Sequence, residues 1–185
     1  MITANDFFKA WCSVTKSREA DLINHWRDFH PKYPYLIKGS DDSIVKMVAD
    51  KLDLKVYDSD YYSIDSVFYI EDDRIEKDLT TGFFLRGLSI AFKHENEEPL
   101  SLRQEASHLL ILNCELRVLV FYNDDGNQSG PEPELLALHE LIRNSRSSEV
   151  ISAEGSFLII YGTRLYQNLV WKGYIYRLKD WEQFF

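Results

Sequence analysis

Two short segments of this 185-residue chain consist almost entirely of apolar residues, and they constrain the fold more than any other feature of the sequence. They are residues 116–122 (LRVLVFY) and 157–161 (FLIIY). A strand with one solvated face alternates between apolar and polar residues, whereas a near-continuous apolar run is typical of a strand that is buried on both faces. The two segments therefore predict central strands of a sheet that is covered on both sides.

The other segments predict helices and further strands around these two. Apolar residues at helical spacing predict helices within the first thirty residues and over 44–52, 101–112 and 131–142. Aromatic and β-branched residues predict strands, and we place these over 55–57, 61–70, 83–93 and 170–178, with a short aromatic tail over 181–185. We expect one α/β domain over residues 1–185, with a mixed sheet flanked by helices.

Composition and charge narrow the class of protein. Hydrophobic residues make up 45% of the chain, which is enough to fill a core and excludes intrinsic disorder. No apolar run approaches the roughly 18 residues of a membrane span, and the first residues lack the pattern of a signal peptide. We therefore expect a cytoplasmic protein with no membrane partner. The net charge of −9 argues against non-specific DNA coating and suits a protein that binds a basic partner.

Four charged residues are the first candidates for a functional site. Asp65 lies inside the apolar segment 61–70, where a carboxylate is costly unless it is paired, bound to a metal or at the rim. Lys93 and Glu95 leave the end of the next predicted strand on one face, because side chains two residues apart in a strand point the same way. Glu19 lies on the apolar side of the first helical region.

An acid in one strand, followed by an acid and a lysine two residues apart at the end of the next, resembles the PD-(D/E)XK nuclease superfamily. The resemblance covers about residues 15–125, from the helix that carries Glu19 to the strand at Leu116, and leaves 126–185 as a C-terminal extension. It implies the restriction-endonuclease-like fold, with an α-β-β-β-α-β core. It also implies a Mg²⁺-dependent hydrolase that cleaves a phosphodiester of a nucleic acid.

The resemblance assigns a role to each candidate. Asp65 and Glu95 would hold the Mg²⁺, with Glu19 and Glu97 as further acids for the metal. Lys93 would stabilise negative charge on the phosphate, so that Asp65, Glu95 and Lys93 form the catalytic set. Carboxylate oxygens suit Mg²⁺, and a bound metal ion polarises the phosphate and lowers the pKa of a bound water.

The second motif of this chain departs from that family in its order. The family pattern is an acid, any residue and a lysine, whereas residues 93–95 read Lys-His-Glu and residues 95–97 read Glu-Asn-Glu. An active site and a decayed site on a retained fold both stay open. So does a structural interpretation, in which Asp65 pairs with Lys93 across the strands, residues 93–98 form a solvated strand end, and Glu19 stabilises the first turn of a helix.

The alternative function is a non-catalytic acidic interaction protein, such as an inhibitor or immunity-type partner of a basic protein. It predicts that Asp65 is paired off and that an acidic patch lies elsewhere, around residues 72–73 and 124–125. The nuclease hypothesis predicts instead a concave site where Asp65 and Glu95 approach each other. A nucleic-acid partner, a protein partner and a homodimer all stay open at this point.

Overall fold

A seven-stranded mixed sheet organises the part of the chain that the computed structural model describes, which is residues 2–25, 32–75, 83–95, 99–122, 130–165 and 168–184. Each strand pairs with the next one in sequence, and the pairs β3–β4 and β4–β5 are parallel while the other four are antiparallel. In spatial order the strands are β1 (Lys55–Tyr57), β2 (Ser66–Tyr69), β3 (Ile90–Glu95), β4 (Leu116–Tyr122), β5 (Phe157–Leu165), β6 (Asn168–Tyr176) and β7 (Trp181–Phe184).

Helices cover both faces of this sheet. Helices α1 to α4 pack with one apolar core, and helices α5 to α7 pack with the other. Within the described residues the helices are α1 (Ala4–Ser17), α2 (Glu19–His25), α3 (Lys32–Ile37), α4 (Ile44–Lys51), α5 (Pro99–Leu110), α6 (Glu132–Arg143) and α7 (Ser148–Glu154). The crossovers between parallel strands run through α5 and through α6 and α7, since parallel strands cannot be joined by a tight turn. No helix in the described ranges has the length and hydropathy of a bilayer span.

The two apolar segments form adjacent central strands that are buried on both faces, as predicted. In β4, Val118 and Val120 pack on the side of α1, while Leu119 and Phe121 pack on the side of α5 and α6. Neighbouring β5 alternates in the same way, and its residues 157–160 have no exposed surface. The α/β class and the mixed sheet flanked by helices are therefore confirmed.

One local difference from the predicted strands lies just before β2. The predicted strand 61–70 is broken by a tight turn, in which Tyr61 and Ile64 exchange backbone hydrogen bonds. The two central residues, Tyr62 and Ser63, have φ values of 52° and 64°. Such a turn ordinarily carries Asn or Gly at these positions, so a Tyr-Ser pair gives no signal for it. As a result β2 begins only at Ser66, and Asp65 precedes the strand instead of lying inside it.

Other boundaries also differ. The third strand begins at Ile90 instead of residue 83, and the predicted aromatic tail is the edge strand β7. Helix α7 was not predicted, because its seven residues are too few to show a helical period. Helix α3 follows Pro31, where the sequence predicted only the end of a helix. Its own Pro34 lies in the first turn, where a missing N–H costs no helical hydrogen bond.

Candidate functional site

Asp65 and Lys93 lie beside each other where β2 begins and β3 nears its end. These strands are antiparallel, and Ser66 lies opposite Phe92, so the residue before β2 comes next to Lys93. The Lys93 Nζ atom is 3.6 Å from Asp65 Oδ1, and the two side chains are 8% and 17% exposed. The fold thus brings together two of the residues that the sequence singled out.

Both oxygens of the Asp65 carboxylate accept hydrogen bonds. Lys38, which follows α3, donates to Oδ1 at 2.7 Å, and the backbone N–H of His94 donates to Oδ2 at 2.8 Å. Burial raises the pKa of this carboxyl, but Lys38, the His94 amide and the charge of Lys93 together outweigh it and hold the pKa below its ordinary value. Asp65 is therefore an ionised carboxylate at neutral pH, paired on both oxygens.

The Lys93 ammonium lies among oxygens from three segments. It donates a hydrogen bond to the Ser63 carbonyl oxygen at 2.9 Å and forms an ion pair with Glu105 of α5, in addition to its contact with Asp65. The His108 ring continues the series, since its Nδ1 lies 3.5 Å from Glu105 Oε2. A row of charges of alternating sign therefore runs from Lys38 through Asp65 and Lys93 to Glu105.

Sequence reasoning missed Lys38 and Glu105 as members of this cluster. The sequence does carry a signal for Glu105, because this acid directly precedes Ala106, which is buried on the apolar side of α5. A carboxylate beside buried residues is uncommon unless it is paired. Lys38 carries no comparable signal. It reaches Asp65 only because the turn after α3 approaches the start of β2, which is a tertiary relationship.

Of the other acids that the sequence predicted for the site, Glu95 lies on the same strand as Lys93, whereas Glu19 lies away from the cluster. Glu95 ends β3 two residues after Lys93, so it shares the face toward α5, and its side chain is half-buried. Glu97 lies outside the described residues. The structure does not bring Glu19 to this cluster. Three strand spacings, roughly 14 Å, separate β3 from β6, the strand with which Glu19 is in contact.

Glu19 has a local structural role. It begins α2, forms an ion pair with Lys16, and accepts a hydrogen bond from the Leu169 N–H in β6 at 3.1 Å. The hydrogen bond from Lys16 and the one from Leu169 lower the pKa of its carboxyl. These contacts favour the interpretation of Glu19 as an acid that stabilises the first turn of a helix.

His94 connects the charged cluster to the opposite face of the sheet. Its backbone binds Asp65, while its ring lies on the other face of β3 with Nε2 2.6 Å from the Tyr122 hydroxyl. Burial lowers the pKa of His94 to about 4, although the charge of Asp65 acts in the opposite direction. The imidazole is therefore neutral at physiological pH.

The described residues, as arranged, do not fit the Mg²⁺ that the resemblance implies. Magnesium takes oxygen ligands, but Asp65 Oδ1 already faces the ammonium groups of Lys38 and Lys93 at 2.7 and 3.6 Å. In the described part of the chain, no group of three or more His, Cys, Asp or Glu side chains is placed to hold a metal ion. The chain itself supplies the positive charge that these carboxylates need.

No protein-family model, curated protein or solved structure matches this chain. Membership of the nuclease superfamily therefore stays a prediction, and the function has to be inferred from the geometry of the site.

Proposed function

We propose that this chain is a non-catalytic, acidic interaction protein on a nuclease-like fold, and that it binds a basic protein. The observation that carries the proposal is the pairing of Asp65, whose two oxygens accept hydrogen bonds from Lys38 and from the His94 amide. Metal-assisted hydrolysis needs carboxylates that are available to a cation. Here both Asp65 and Glu105 are matched by lysine ammonium groups, which supports a structural role for the cluster.

The order of elements supports a restriction-endonuclease-like fold. Helix α4 is followed by the antiparallel strands β1, β2 and β3, then by α5 and the parallel strand β4. Counted from α4, and not from the helix that carries Glu19, this is the α-β-β-β-α-β order that the resemblance implies. One fold carries many activities, however, so the fold by itself supports ancestry and not catalysis.

The chemistry of the partner follows from charge. The chain carries 30 acidic and 21 basic residues, and the acids Glu71 and Asp72 are exposed in a short 3₁₀ turn after β2. A negative surface speeds association with a basic protein and disfavours acidic competitors. Residues 71–72 overlap one half of the acidic patch that the interaction hypothesis predicts around 72–73 and 124–125, and residues 124–125 lie outside the described part of the chain.

A panel of peptides of equal length and graded net charge tests this proposal. We expect binding to strengthen with positive charge, to weaken with added salt, and to weaken several-fold in a Glu71→Lys/Asp72→Lys variant. The matched control is Glu149→Lys/Glu154→Lys on α7, which makes the same change in net charge at two other exposed acids. Equal weakening in both variants, or no dependence on peptide charge, would contradict the proposal.

A metal-dependent nuclease is the second candidate, and one observation favours it. Asp65 and Lys93 lie 3.6 Å apart, and an acid close to a lysine is what the resemblance implies for the catalytic set. Under this candidate Asp65 and Glu95 hold the metal, and Lys93 stabilises charge on the phosphate. The test is cleavage of DNA and RNA by the wild type with Mg²⁺ or Mn²⁺. Cleavage that is lost in both Asp65→Asn and Lys93→Ala would favour this candidate over the first.

A further inference from the structure

We propose that the basic partner docks by placing an arginine side chain on an aromatic patch at the β1 edge of the sheet. The aromatic patch is defined by the rings of Tyr57, Tyr61, Tyr62, Tyr69 and Phe83. This inference rests on the proposed function, because it names the surface and the kind of side chain through which a basic protein would bind.

The five rings of the aromatic patch form one connected surface. Phe83 lies at its centre, since its ring stacks on Tyr57 with centroids 4.2 Å apart and meets the edge of Tyr69 at 5.4 Å. Tyr61 lies 6.0 Å from Phe83 and 4.9 Å from Tyr62. Tyr57 and Tyr61 also pack against the core on the side of α5. The patch is therefore held in place by the fold.

Tyr62 is the member of the patch that reaches into solvent. It is 76% exposed, and its φ of 52° is a conformation that bulky residues rarely adopt. Backbone strain of this kind clusters at binding sites, where the surrounding structure holds it in place. The turn thus presents an aromatic ring at a position where Asn or Gly would cost less. Exposed tyrosines of this type are common anchors of protein interfaces.

Exposed carboxylates flank the aromatic patch. Asp60 precedes Tyr62 by two residues, and Glu71 follows Tyr69 by two. Burial and the nearby charge of Glu71 raise the pKa of the Tyr69 hydroxyl, although Arg74 acts in the opposite direction. A planar guanidinium stacks on aromatic rings and donates paired hydrogen bonds to a carboxylate. Rings beside carboxylates therefore fit arginine better than lysine.

Arg74 shows within this chain how the patch receives a guanidinium. Its Cζ atom lies 6.0 Å from the centroid of the Phe83 ring, which is the range of a cation–π contact. An isolated antiparallel bridge between Arg74 and Leu85 brings the two segments together. Because Arg74 lies over Phe83, the exposed ring of Tyr62 is the place for a second guanidinium, supplied by the partner.

The experiment compares two peptides of equal length and charge, one with arginine at every basic position and one with lysine. We expect the wild type to bind the arginine peptide more tightly, as measured by fluorescence anisotropy of the labelled peptides. Tyr62→Asn should weaken binding of the arginine peptide by roughly three- to tenfold and remove the preference over lysine. Asn tolerates positive φ, so this variant keeps a residue that suits the turn.

Two variants serve as controls for the loss of the ring. Tyr35→Asn makes the same substitution at another exposed tyrosine, which lies on α3 outside the aromatic patch. Tyr62→Phe keeps the aromatic ring and removes only the hydroxyl. Both controls should retain the preference for the arginine peptide.

The outcomes separate this inference from the proposed function. Charge-dependent binding with no preference for arginine, or equal losses in Tyr62→Asn and Tyr35→Asn, would overturn the inference and leave the proposed function standing. Absence of binding to both peptides would contradict the proposed function, and the inference with it. Self-association that Tyr62→Asn abolishes, measured by sedimentation, would also overturn the inference and assign the aromatic patch to a second copy of the chain.

Discussion

The Lys93 ammonium donates a 2.9 Å hydrogen bond to the carbonyl oxygen of Ser63, a residue whose φ is 64°. The end of β3 is thereby tied to the tight turn before β2. The same turn leads directly into Asp65, the carboxylate that Lys93 also approaches. A turn with an unusual backbone conformation therefore helps to place both the carbonyl and the carboxylate around one buried ammonium.

Ser63→Gly is expected to stabilise the protein by about 1 kcal/mol. A non-glycine residue at positive φ costs roughly 1–2 kcal/mol, and glycine removes that cost while losing somewhat more entropy on folding. The measurement is the free energy of unfolding in urea. Ser59→Gly is the control, since Ser59 is exposed and is not among the described non-glycine residues with positive φ. A destabilisation as large as that of Ser59→Gly would contradict the prediction.

Lys93→Met should destabilise the fold by about 3–5 kcal/mol, because it leaves the largely buried Glu105 carboxylate without its lysine partner. Lys38→Met should cost clearly less, since Lys38 is more exposed and the other ammonium remains. Adding Glu105→Gln to Lys93→Met should recover part of the loss, which a double-mutant cycle of urea unfolding measures. Equal losses at the two lysines, or strictly additive effects of Lys93 and Glu105, would argue against the cluster as described.

Stability should fall as the pH drops from about 6.5 to 4. Burial lowers the pKa of His94 to about 4 in the folded protein, against about 6.5 in the unfolded chain. Above pH 6.5 neither state holds the proton, and below it the unfolded state binds the proton first, at a total cost of about 3 kcal/mol. His94→Gln should flatten this dependence. Tyr122→Phe, which removes the ring's hydroxyl partner but keeps its burial, should retain it.

Two charged groups near His94 also affect the pH dependence of stability, and they determine which result would contradict the role of His94. Asp65, whose charge favours the protonated ring, and Lys38, whose charge disfavours it, both face His94. The pKa of Asp65 lies below its ordinary value in the folded protein. The stability that its pairing contributes is therefore lost mainly below the ordinary aspartate pKa of about 3.9, which is under the pH range in which His94 acts. A wild type and a His94→Gln variant with the same slope between pH 6.5 and 4 would therefore place the titrating group elsewhere.

Gly162→Ala should destabilise the protein by about 1–3 kcal/mol, as expected for an extra methyl group in a packed core. A Cβ at this position in β5 would lie 2.6 Å from the rings of both Trp171 and Tyr122. Gly87→Ala is the matched control, because its Cβ would meet Asp73 only at 3.4 Å. The check is the difference in unfolding free energy between the two variants, and a smaller loss at Gly162 would contradict the packing.

The central strands could be predicted from sequence because their signal is local. In β4 and β5 the apolar run itself records burial on both faces, and the structure places those strands side by side. The start of β2 could not be predicted in this way. Tyr62 and Ser63 carry no residue-type signal for positive φ, and the turn they form is held by contacts with Ile64 and Lys93 that lie outside any local pattern.

The candidate site was predictable only in part for the same reason. The two-residue period of strands places Lys93 and Glu95 on one face, and the pairing of β2 with β3 brings Asp65 to Lys93. The other two charges of the cluster come from α5, which carries Glu105, and from the turn after α3, which carries Lys38. The spacing of residues along the chain does not predict that Lys38 contacts Asp65. For Glu19 the sequence pattern was misleading. Its position on the apolar stripe of the helix reflects a hydrogen bond with β6 and not a place in the charged cluster.

The most direct test of the account is a calorimetric titration of the wild-type protein with Mg²⁺ and Mn²⁺, beside an Asp65→Ala/Glu95→Ala double variant. The central claim is that Lys38 and Lys93 already neutralise the carboxylates of this cluster. It predicts no saturable heat for the wild type at millimolar metal, and a titration curve that matches that of the double variant. Saturable binding by the wild type that vanishes in the double variant would contradict the claim and place a metal at Asp65 and Glu95.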